Sequence, residues 1–147
     1  MSDATPSVLR FVVEGEPVPK GRPRFAVRKG KGGQSFVKPY TPAETEAYAN
    51  VVRLVAQAAA SAARWKPSKD DRYTVVIRVF RTHYDAGGDI DNYAKEILDA
   101  IIPKPRLPGS GIIADDRYVR GLGSSLNVDA KHPRVEVELR RFKKGDV

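Results

Sequence analysis

The sequence contains no cysteine, one tryptophan and only two histidines in 147 residues. Without cysteine there are no disulfides, no thiolate zinc site and no cysteine nucleophile, a composition that fits a reducing cytoplasm. No run of about 18 apolar residues occurs, so no membrane-spanning helix is expected. Met1 to Pro6 is short and polar and lacks the apolar core of a secretory signal, so a cytoplasmic location is expected. Phosphate-binding Walker loops, G-x-S-x-G elbows and H-E-x-x-H pairs are all missing, and no nucleotide cofactor is expected.

What is present suits one domain. Hydrophobic residues make up 41% and charged residues 30% of the chain, an ordinary globular balance. The net charge is +8, which favours a polyanionic partner, nucleic acid first and an acidic membrane surface second. That charge is uneven. From Lys20 to Lys38 every charged residue is basic, making Lys20, Arg22, Arg24, Arg28, Lys29 and Lys31 candidate contacts to a phosphate backbone. Between Asp89 and Asp116 the acids gather instead: Asp89, Asp91, Glu96, Asp99, Asp115 and Asp116. Carboxylates repel phosphate, so acids on a phosphate-binding surface call for a cation between the two.

Local patterns predict the elements. Val8 to Glu16 reads as an edge-type strand stopped by Pro17 and Pro19. Phe25–Lys29 and Ser35–Lys38 suggest a hairpin around the glycines at 30, 32 and 33. Thr41-Pro42-Ala43-Glu44 is a helix start, with Thr41 as cap, and an alanine-rich helix should run to about Ala63. Tyr73 to Arg81 is rich in β-branched and aromatic residues and reads as a strand. Ile90, Ala94, Ile97, Leu98 and Ile101 mark one face of a second helix, which Pro103, Pro105 and Pro108 forbid from continuing. Gly111 to Ala114 is a short apolar piece that could deliver the acids after it from a strand end. Tyr118 to Leu126 reads as a strand interrupted by glycines, and Val135 to Phe142 as a half-buried strand.

The acids admit bland readings. Asp89 and Asp91 open a helix, where aspartates cap amides and favour the dipole. Asp91, Lys95 and Asp99 step by four and could form ordinary ion pairs. Against this stands the later Asp115-Asp116. If Asp89, Asp91 and Asp116 converge, three mutual repulsions of about 4 kcal/mol each at 4 Å and an effective dielectric near 20 must be relieved by protons or a divalent cation. Oxygen-only donors favour magnesium, manganese or calcium over zinc. An EF-hand is excluded, because Ala94 and Ala100 stand where its glycine and glutamate belong. Magnesium with few carboxylates, water and phosphate oxygens is the chemistry of phosphoryl transfer or phosphodiester hydrolysis. His83, a strand-end residue, and His132, in a turn before Pro133, add little.

Three groups of residues stand in a specific order: Gly15-Glu16-Pro17-Val18-Pro19-Lys20-Gly21-Arg22-Pro23-Arg24-Phe25, then Asp89-Ile90-Asp91-Asn92 with Lys95 and Asp99, then Asp115-Asp116. In this the chain resembles the RusA family of Holliday-junction resolvases, from about Phe11 to Phe142. The resemblance implies an α+β, RusA-like single domain over residues 1–147, a small mixed β-sheet packed with two main helices, its ends 1–7 and 143–147 frayed. It implies a homodimeric, magnesium-dependent bacterial or phage endonuclease, with manganese able to substitute, that cuts branched DNA at four-way junctions. Asp89, Asp91 and Asp116 correspond to the family's metal-binding aspartates, with Asp115 assisting, and Lys95 to its essential lysine. Substrate symmetry agrees with a two-fold protein, for which the alanine-rich helix and the final strand are candidate surfaces. The rival readings are a metal nuclease of flaps or single strands, a non-catalytic basic DNA-binding protein, and a basic phage structural or assembly protein.

Overall fold

Alternating apolar residues draw four strands into one sheet. They are β1 (Val8–Glu14), β2 (Asp71–Arg81), β3 (Val119–Val128) and β4 (Arg134–Lys143), joined in the order β1-β4-β2-β3. Two helices, α1 (Pro42–Ala63) and α2 (Ile90–Ile101), complete a mixed α+β fold. The computed structural model describes residues 6–20, 42–84, 88–104, 110–143 and 145. The expected hairpin of Phe25–Lys29 with Ser35–Lys38, the Thr41 cap, and Arg22, Arg24, Arg28, Lys29 and Lys31 lie outside the described residues.

One sheet face is apolar. Leu9, Phe11 and Val13 of β1, Tyr73, Val75, Ile77 and Val79 of β2, and Val135, Val137 and Leu139 of β4 are buried in a common core with Val52 and Ala56 of α1 and Ile97 and Ile101 of α2. Full burial of such a side chain is worth about 1.5–3 kcal/mol, so this face carries the fold. The other face holds ion pairs such as Arg10–Glu138–Arg140, with Arg134 lying 3.8 Å over the Phe80 ring. β1 is an edge strand, as its sequence suggests, whereas β4 lies between β1 and β2. The final strand therefore has no free edge to offer a partner.

β2 pairs with β3 in parallel, and parallel neighbours need a long crossover. α2 and residues 110–118 provide it. A direct consequence is that the end of β2, which leads to Asp89, and the start of β3, which follows Asp116, lie at opposite ends of the sheet. The apolar piece Gly111 to Ala114 is not a strand. It hooks onto the end of α2 instead: Ile112 N donates to Ile101 O at 2.8 Å, and Trp65 Nε1 donates to Ile112 O at 2.7 Å. Ser110 Oγ accepts from Lys104 N at 2.8 Å. β3 continues through Gly121 and Gly123, with one register shift against β2 between Tyr73 and Thr74; a Cβ at Gly121 would stand 3.1 Å from Thr74 Cγ2.

The segment after β1 is pinned across the start of α2. Gly15 N donates to Pro133 O, Glu16 accepts from Thr82 Oγ1 at 2.6 Å, Pro17 and Pro19 are buried, and Lys20 N donates to Asn92 O at 3.0 Å. Gly88 makes this crossing possible. Its φ is +97°, and a Cβ there would lie 2.7 Å from Pro19 Cγ and 3.0 Å from Tyr93 Cε2. Gly88→Ala is therefore expected to lower stability by about 2 kcal/mol or more, through both left-handed backbone strain and overpacking, as measured by urea unfolding. A loss below about 0.5 kcal/mol would show that the crossing gives way easily.

Candidate active site

The first acids sit where α2 begins. Asp89 is the N-cap residue, and its carbonyl accepts from Asn92 N at 2.9 Å. Its side chain, however, makes no capping hydrogen bond and is exposed. Asp91, in the first helical turn, is also exposed. The capping explanation for Asp89 is thus unused, although both charges still favour the helix dipole. The i,i+4 explanation fares no better. Among the described residues Lys95 pairs with neither Asp91 nor Asp99, and Asp99 Oδ2 takes Lys20 Nζ at 2.8 Å.

The second acids precede β3. Asp115 caps a short 3-10 turn, Asp116–Tyr118, accepting from Arg117 N at 3.0 Å. That N–H, followed by a hydrogen bond with Asp116, holds the Asp115 carboxyl below its usual range. The Asp116 carboxyl is pushed up, first by its hydrogen bond with Asp115. Asp99 pushes the same way, and Lys95 opposes it. So Lys95 and Asp99 of α2 act electrostatically on Asp116, across the gap from helix to turn.

The structure brings some predicted residues together and leaves others apart. Asp115 and Asp116 touch, and Asp116 feels Lys95. Along α2 Asp89 precedes Lys95 by about 9 Å of helix rise and Asp99 by about 15 Å, and Lys95 and Asp99 are the α2 residues that act on Asp116. Among the described residues no group of three or more Asp, Glu, His or Cys stands close enough to share a metal. Two acid pairs remain, Asp89/Asp91, both exposed, and Asp115/Asp116, half-buried and exposed in turn. They fit magnesium, which takes one or two carboxylates and fills its shell with water and phosphate oxygens. The hydrogen-bonded Asp115–Asp116 pair has the chemistry of donors that share either a proton or a cation.

Two residues carry more than their sequence suggested. Lys20 lies along α2, bonded through its main chain to Asn92 and through its ammonium to Asp99. Glu96 is 1% exposed, and its Oε2 has no hydrogen-bond partner among the described residues. Burial raises its pKa to about 7; Lys20 works against the rise, Asp99 and Glu46 with it. The apolar pattern 90-94-97-98-101 does not include Glu96. The buried set is Tyr93, Ala94, Glu96, Ile97, Ala100 and Ile101, because α2 packs against α1 and the Glu16–Lys20 segment as well as the sheet. No local signal marks this rotation. His83 is exposed, and His132 bonds Glu14 at 2.6 Å beside β1.

The raised Glu96 pKa has a definite sign. The unfolded chain loses this proton near the ordinary carboxyl value, and the folded chain holds it to about 7. Folding is thus increasingly disfavoured as pH rises between those values. Glu96→Gln should flatten that slope and make the protein more stable than wild type at pH 8, by about 1–2 kcal/mol after allowance for relaxation. Urea unfolding at pH 5 and pH 8 reads the difference; an equal gain at both would mean that Glu96 does not titrate abnormally.

A family model described as Endodeoxyribonuclease RusA matches residues 14–140 of the 147-residue chain. The matched span takes in the Lys20 segment, α2 and both acid pairs. A comparison with curated proteins finds no match.

Proposed function

The chain belongs to the RusA family of endodeoxyribonucleases, and we propose that it is a magnesium-dependent, structure-specific endonuclease that resolves four-way DNA junctions by paired phosphodiester hydrolysis. The observation that carries this reading is the exposed pair Asp89 and Asp91 at the start of α2, whose side chains form no cap hydrogen bond at Asp89 and no ion pair among the described residues. Asp89 caps nothing with its side chain, and Lys95 is paired with neither acid on its own face.

In this reading Asp89, Asp91 and Asp116, with Asp115 assisting, would hold one or two magnesium ions, and manganese could replace them. The bound ion supplies an activated water and polarises the scissile phosphate. Asp115, fixed by Arg117 N, aims its neighbour Asp116. Lys95, exposed one turn beyond Asp91, meets the phosphate and stabilises charge that grows in the transition state. Arg22, Arg24, Arg28, Lys29 and Lys31 contact the DNA backbone. Two equivalent strands call for two equivalent sites, hence a homodimer. With β4 interior, the outward side of α1 is the surface that suits it, where Leu54 is 66% and Val51 46% exposed.

Asp91→Asn should remove magnesium-dependent cleavage of a four-way junction while binding persists. Lys95→Ala should slow the single-turnover rate about 100-fold or more with little loss of affinity. Cutting by Asp91→Asn at the wild-type rate, or equal cleavage of flap and single-stranded DNA, would sink the assignment. Light scattering should give the mass of two chains, and a monomer at working concentration would remove the paired-cut mechanism.

A further inference from the structure

Lys20 belongs to the basic segment by sequence and to the acidic site by structure. Its main-chain N–H reaches Asn92 and its ammonium reaches Asp99, so one residue spans nearly two turns of α2. The preceding Pro19 is locked against Gly88. The ammonium is also within the fields of Glu96 on α2 and Glu46 on α1, and its pKa is raised accordingly, with the Asp99 hydrogen bond as the largest cause. The Lys20 side chain is 39% exposed and that of Asp99 33%, a half-buried pair and not a cation standing free in water. Asp99 in turn acts on Asp116. Without the lysine, Asp99 would add an uncompensated charge beside the acid pair and the buried Glu96.

We propose that Lys20 is a positioning residue of the cleavage site, not a phosphate contact: it fixes the Glu16–Lys20 segment along α2 and neutralises Asp99 one helical turn beyond Lys95. This departs from the expectation that Lys20 binds DNA with Arg22 and Arg24, and it rests on the nuclease reading above. Acting through Asp99, Lys20 sets the charge that Asp116 and Lys95 experience. It also sets the point from which the basic segment leaves the acidic site.

The experiment is a double-mutant cycle with K20M, D99N, their combination and K20R, in single-turnover junction cleavage and in junction binding across a salt series. K20M and D99N should each slow cleavage about tenfold or more. The double variant should be no slower than the worse single one, and K20R should recover most of the rate. The salt slope of binding should stay at its wild-type value in K20M. A slope that falls by about one unit would make Lys20 a phosphate contact and overturn the proposal. Multiplying losses in the double variant would do the same. Amide hydrogen exchange at residue 20 needs no DNA and keeps Lys20 in place: D99N should accelerate it about tenfold or more, and unchanged exchange would overturn the clamp. A wild-type protein that cuts no junction but shows this accelerated exchange would refute the nuclease reading and leave the clamp standing.

Discussion

Pro19 lies so close to Gly88 that a methyl group on that glycine would meet its ring at 2.7 Å. This crossing joins two parts of the chain that are far apart in sequence. On one side is the segment leaving β1, held by Pro133, Thr82 and Asn92; on the other is the turn that starts α2 and presents Asp89 and Asp91. The left-handed backbone at Gly88 and the missing side chain are both needed. With the crossing in place, Lys20 falls onto Asp99, Tyr93 is packed in, and Glu96 is covered.

Charge follows from that packing. A protein with a net charge of +8 keeps a local excess of carboxylate along α2 and the Asp115–Asp116 turn. It does so with one lysine placed among Asp99, Glu96 and Glu46, and with a carboxyl at Glu96 that burial keeps protonated to about 7. A buried carboxyl lacking a full set of partners is a cost to stability. Groups in that condition cluster at functional sites, and this one lies under the ion pair beside the acids. Two acid pairs, and a Lys95 that forms no ion pair with them among the described residues, suit the proposed phosphodiester chemistry with a divalent ion.

The second acid pair is placed from below. Trp65 holds Ile112 by its indole N–H, and Arg141 covers the Trp65 ring at 3.9 Å while pairing with Asp71 at the start of β2. Ile113 is fully buried. Asp115 and Asp116 therefore follow a fixed point at the end of α2 and lead through the 3-10 turn into β3, with the Asp115 carboxylate held by Arg117 N.

Much was legible in the amino-acid order. The bounds of α2 match the 3.6-residue pattern, and all four strands lie within two residues of their expected bounds at each end, because local residue patterns record which segments and faces are dry. The acids, Lys95 and the order of the three motifs were visible for the same reason: they are residue types at fixed spacings. Tertiary structure decided the rest. The parallel pairing of β2 with β3 put the end of β2 and the start of β3 at opposite ends of the sheet, a matter of strand order that no local pattern encodes. The packing of α2 against α1 and the Glu16–Lys20 segment turned Glu96 inward and gave Lys20 to Asp99, since burial and ion pairing depend on neighbours far away in the chain. Composition and spacing determined which chemistry the chain can attempt, and long-range packing determined which of its charges are free to carry it out.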